Sequence, residues 1–135
     1  MSLEQKQIIL AALSGGADRV FELQSSLTAL RGLGPANGGS GEQDKADFLE
    51  SWLRSFGIDD IEHVDAPDSR VPSGKRPNLI VRVPGRSDRT LWILGHMDVV
   101  PAGDESLWRT DPWVVTRDAA DPGYAREPRR TAQQP

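Results

Sequence analysis

Residues 90–104 read Thr90-Leu-Trp-Ile-Leu94-Gly95-His96-Met97-Asp98-Val-Val-Pro101-Ala-Gly-Asp104, an apolar run that ends on a glycine and leads directly into His-x-Asp. Leu91 to Leu94 are apolar on both alternating sets of positions, the pattern of a central strand covered on two faces, so an α/β sheet is expected here. In open α/β sheets ligands bind beyond the carboxyl ends of strands, and His96 stands where this strand should end. An imidazole there can bind a divalent metal through one nitrogen while the other N–H needs an acceptor. Asp98, two residues on, projects from the same side if extended geometry persists. Gly95 lets the backbone approach a ligand closely, and Pro101 stiffens the exit.

Upstream, Asn78 to Val83 (NLIVRV) reads as a second strand, joined to the first through Pro84-Gly85-Arg86-Ser87-Asp88 as a hairpin connection. Residues 61–65 (IEHVD) read as a short edge strand, and residues 66–77 as a loop rich in proline, serine and charge. A helix is expected over about 42–56, with Ala46, Leu49, Trp52, Leu53 and Phe56 on one side and Gly57 at its C-terminal cap. Before it, residues 32–41 (GLGPANGGSG) hold five glycines and a proline in ten positions, which implies a mobile loop. Residues 3–31 read as helical, with Leu10, Leu13, Ala17, Val20, Phe21, Leu27 and Leu30 forming one buried stripe that Gly15-Gly16 divides or kinks.

Downstream the character changes. Residues 116–135 contain no Ile, Leu, Val, Met, Phe or Trp, and such a segment buries too little apolar surface to offset its ordering entropy, so a disordered tail is expected. Residues 1–115 are then the structured part.

The stretch GHMDVVPAGD, followed by Trp108 and Asp111-Pro112-Trp113, resembles the M20 family of metallopeptidases and amidohydrolases. That family includes succinyl-diaminopimelate desuccinylase, acetylornithine deacetylase, aminoacylase and glutamate-releasing carboxypeptidase. The helix, glycine-rich loop, second helix ending LRSFGI, and strands NLIVRV and TLWIL stand in the order of that family's N-terminal portion, over about residues 3–115. The resemblance implies the N-terminal part of a zinc-exopeptidase-like three-layer α/β domain, with helices on a mixed sheet. It implies that His96 is the first metal ligand and that Asp98 is the catalytic acidic residue supporting it. It also implies two zinc ions per complete site, for which cobalt or manganese suit the same donors. The implied reaction is hydrolysis of an amide or peptide bond in an N-acyl amino acid or small peptide, in a cytoplasmic enzyme that forms homo-oligomers through a second domain. No substrate-binding residue is identified.

The family's further ligands, a bridging Asp, paired Glu residues, another acid and a late His, are absent from these 135 residues. Catalytic zinc ordinarily needs three protein ligands, so the chain alone is expected to be truncated and catalytically incomplete. A frameshift or premature stop after about residue 116 would explain the tail, since 13 Arg against 3 Lys already suggests a GC-rich source. The alternative is a non-enzymatic remnant that self-associates through uncovered apolar faces.

Composition narrows the field. With 16 basic and 20 acidic residues the net charge is −4, which argues against a nucleic-acid partner. No membrane-length apolar run occurs, so no membrane partner is expected, and the lack of cysteine excludes thiolate metal sites. His63, the only other histidine, reads as an edge-strand residue. Asp104 and Asp111 read as loop structure, and the four tryptophans as packing residues.

Overall fold

In a computed structural model of the chain, residues 2–118 and 121–126 are described. They divide into two units. One joins the residues up to Ala29 with the described residues from Ala102 onward; the other is Leu30–Pro101.

In the first unit, α1 (Leu3–Ser14) and α2 (Ala17–Ala29) are separated at Gly15-Gly16, where the sequence places the division. Ser2 and Gln5 form a reciprocal capping box that satisfies amide donors at the start of α1. The expected single buried stripe is corrected: Leu10, Leu13 and Val20 are exposed, while Phe21, Leu27 and Leu30 are half-buried. Periodicity identifies a helix face that gains from burial, but a neighbouring element must supply the cover. Asp104 caps a short 3-10 turn, Glu105–Leu107, by accepting from the Ser106 amide. Asp111 accepts from the Trp113 amide, so both acids hold local turns. Strands β5 (Thr116–Asp118) and β6 (Asp121–Arg126) pair antiparallel, inside the segment expected to be a disordered tail; residues 119–120 and 127–135 lie outside the described residues. Arg117 pairs with Asp18 and lies over the Phe21 ring, 4.3 Å from its centroid.

The second unit is built on α3 (Gln43–Arg54). Its C-terminus closes as expected on Gly57 at φ +74°, where the Ile58 amide donates back to the Leu53 carbonyl. Strand β1 (Ile61–His63) pairs antiparallel with β4 (Leu79–Val81), with Glu62 opposite Ile80. Strand β2 (Ala66–Pro67) pairs with β3 (Lys75–Arg76) within the stretch expected to be a loop. The glycine-rich stretch carries a short 3-10 turn at Pro35–Asn37 and leaves it through Gly38 at φ +73°.

Helices and strands together make the chain α/β. Among the described residues the strands form three separate antiparallel pairs rather than one mixed sheet. The expected strand and hairpin at 90–94 do not form: Leu91, Ile93 and Leu94 are 83%, 85% and 90% exposed. A strand needs a ladder partner for its amides and carbonyls, and the β1–β4 pair provides no third edge contact to this segment. Trp92 is exposed with it, which corrects its reading as a packing residue.

Among the described residues the buried apolar side chains are few: Ala46, Val71 and Val115. Beside them Glu42, Lys45 and Asp68 are buried too, so polar contacts carry much of the second unit's interior. No helix among the described residues is long and apolar enough to cross a membrane.

Candidate metal centre

His96 follows the exposed apolar segment, and its own side chain is exposed. Its Nδ1 lies 3.1 Å from Asp98 Oδ1 and 2.9 Å from the Asp98 carbonyl oxygen. Both partners are acceptors, so the contact calls for a proton on Nδ1, and in the neutral ring that tautomer leaves the Nε2 lone pair available. That arrangement fits an imidazole metal ligand whose second nitrogen is held by a carboxylate. Among the described residues no three histidine, cysteine or acidic side chains converge, so the geometry brings together one imidazole and one carboxylate rather than a full donor set.

The backbone around the pair is fixed at two points. Lys45, on α3, donates from Nζ to the Met97 carbonyl at 3.0 Å. The Val99 amide donates to the Gly32 carbonyl at 3.1 Å, and Leu33 bridges Val99 in a parallel sense. Burial lowers the Lys45 pKa, while the nearby carboxylates of Asp98 and Glu42 act in the opposite direction.

An open cleft of about 450 Å³ adjoins His96 and Asp98. Leu49 and Leu53 of α3 and Leu79 and Val81 of β4 form its apolar side; Glu42, Arg76 and Asn78 form a polar side. Arg76 grips Glu42 through two nitrogens, with Nε to Oε2 at 2.6 Å, and its Nη1 stands 3.8 Å from Asp68. Arg76 is thereby committed to its acidic partners. Asp68 is held mainly by Arg70, whose side chain and amide lower its pKa from 3.8 to about 2.

His63 lies on β1 as expected, and its Nε2 is 2.8 Å from Glu50. Glu50 is shared with Arg54, and Asp65 is paired with Lys75 at 2.6 Å. This surface cluster is balanced by its cations.

Comparison with known proteins gives one consistent chemistry. The chain is similar to metallohydrolases. It is 30% identical over 100 residues to an uncharacterised metallohydrolase of Methanocaldococcus jannaschii, covering 71% of this chain and 24% of that one. It is 32% identical over 100 residues to an uncharacterised metallohydrolase of Methanococcus maripaludis, with the same shares. Over 83 residues it is 35% identical to a Cys-Gly metallodipeptidase of Saccharomyces cerevisiae, covering 57% of this chain and 17% of the yeast protein. The chain therefore spans about a quarter of the length of the first two relatives. Neither a family model nor a solved structure matches it.

Sequence reading finds His96 and Asp98 but misses Lys45, Glu42 and Arg76. One signal was present: Lys45 falls at i, with Leu49, Trp52 and Phe56 at i+4, i+7 and i+11, so a cation sits in the apolar stripe of its own helix. Glu42 and Arg76 are 34 positions apart and carry no mark of their pairing.

Proposed function

We propose that this chain supplies the first metal ligand, His96, and its supporting catalytic carboxylate, Asp98, to an M20-type hydrolase. The reaction class is cleavage of an amide or peptide bond in an N-acyl amino acid or small peptide. The observation that carries the reading is the His96–Asp98 pair, with Nδ1 held at 3.1 Å and Nε2 left to bind. The similarity to metallohydrolases supports it. Zinc, when bound in such a centre, polarises the scissile carbonyl and acidifies a water. The chain's own part is to orient the imidazole, fix its tautomer and place both groups beside an open cleft.

One imidazole and one carboxylate fall short of the three protein ligands of catalytic zinc, so we assign the isolated chain weak zinc binding and no turnover. Zinc titration by equilibrium dialysis tests this. His96→Ala should abolish the binding, and Asp98→Asn should weaken it about ten-fold, as expected for loss of a ligand's outer-shell partner. Zinc binding indifferent to His96→Ala would refute the metal site, and zinc-dependent turnover lost in that variant would refute the incompleteness. A second reading, a non-enzymatic self-associating module, is favoured by the exposed Leu91, Ile93 and Leu94.

A further inference from the structure

The geometry points to Lys45 as the residue that positions the His96–Asp98 pair. Its ammonium holds the Met97 carbonyl at 3.0 Å, on the peptide that links Met97 to Asp98. On the other side of Asp98, the Val99 amide is held by the Gly32 carbonyl at 3.1 Å. The backbone of Asp98 is thus bracketed by two long-range hydrogen bonds, and Asp98 in turn holds His96 Nδ1 through both its carboxylate and its carbonyl. Lys45 acts on the imidazole through this chain of contacts without touching it.

Space for the clasp comes from Gly32. A Cβ there would stand 3.0 Å from the Met97 oxygen and 3.1 Å from Lys45 Cδ, tighter than ordinary packing tolerates. Lys45 itself is only 6% exposed. The charged groups facing it are Asp98 and Glu42, with Arg76 bound to Glu42 nearby. A buried ammonium whose desolvation is only partly compensated is a costly way to hold a helix in place. It is a direct way to hold a carbonyl beside a carboxylate, because one group supplies both the donor and the charge.

The inference rests on reading His96–Asp98 as a metal-binding pair, but its test needs no metal. Proton–nitrogen spectra of the imidazole, recorded where His96 is neutral, report which ring nitrogen carries the proton. Amide exchange at Val99 reports the bracket. In the wild-type chain His96 should be mainly the Nδ1–H tautomer with a protected Val99 amide. Lys45→Met should return His96 toward the free-imidazole mixture, in which Nε2–H dominates, and speed Val99 exchange at least ten-fold. Lys45→Arg, which keeps a cationic donor, should retain most of both. If Lys45→Met does not fold, Gly32→Ala presses on the same contact without removing the charge and should shift both readouts part of the way.

A folded wild type with Nε2–H at His96 overturns the inference, as does Lys45→Met or Gly32→Ala with tautomer and exchange unchanged. Zinc binding indifferent to His96→Ala would instead defeat the metal-site reading, leaving the tautomer result to judge Lys45 separately.

Discussion

Leu91–Leu94 and Met97–Val99 are neighbours in sequence and opposites in environment. The first segment is strongly apolar and lies exposed; the second is tied to α3 and to the glycine-rich loop by hydrogen bonds from Lys45 and to Gly32. Apolar content therefore does not place the His-x-Asp segment in this structure. Hydrophobic attraction is non-directional and acts only where a complementary surface is within reach, whereas a donor on a helix fixes one carbonyl at one distance. The two segments teach that the second unit is organised by its polar groups.

The largest test of that contrast is Arg76→Met. It would leave the Glu42 carboxylate, 5% exposed, without its bidentate partner. Breaking a fully buried pair costs about 3–5 kcal/mol, and because Arg76 is 30% exposed about 2–3 kcal/mol is expected here. Urea unfolding with an unchanged m-value measures it; a loss under 0.5 kcal/mol would remove polar organisation as the explanation.

Acid supplies a gentler probe. Asp68 has a pKa lowered from 3.8 to about 2, chiefly by its hydrogen bond from Arg70. A depressed folded-state pKa gives stability that is fully present above the unfolded value and is lost as pH falls toward the folded one. Unfolding midpoints followed downward in pH should therefore decline between about pH 4 and pH 2 from this group. Asp68→Asn should flatten that part of the profile, and an unaltered slope in the variant would show that Asp68 gains nothing from Arg70.

The smallest effect belongs to the exposed segment. Ile93→Ser should change stability by less than about 0.5 kcal/mol, the usual range for surface substitutions, because 85% of Ile93 is already in water. A loss above 2 kcal/mol would mean that the segment is covered in solution. Light scattering on the same variant reads association: loss of an oligomer without loss of fold would identify Leu91–Leu94 as the contact between copies.

Much of the local structure was legible from residue types. Gly15-Gly16 marked the break between α1 and α2, and Gly57 marked the end of α3, because left-handed or flexible backbone is tied to glycine. The pairing of IEHVD with NLIV required a partner that sequence could suggest but not assign; the expected partner of NLIVRV was TLWIL, and the structure pairs it with β1. At the site, His96 and Asp98 were legible because two residues of spacing suffices for direct contact. Lys45 acts across 52 positions, and nothing local states which carbonyl it meets.

By itself, the sequence determined the helices, their caps and the contact between His96 and Asp98, since these depend on contacts within a few residues. Only the tertiary structure decided which apolar runs are covered and which cation holds Met97. Those outcomes depend on what lies within a few ångströms in space, and chain separation does not encode that distance.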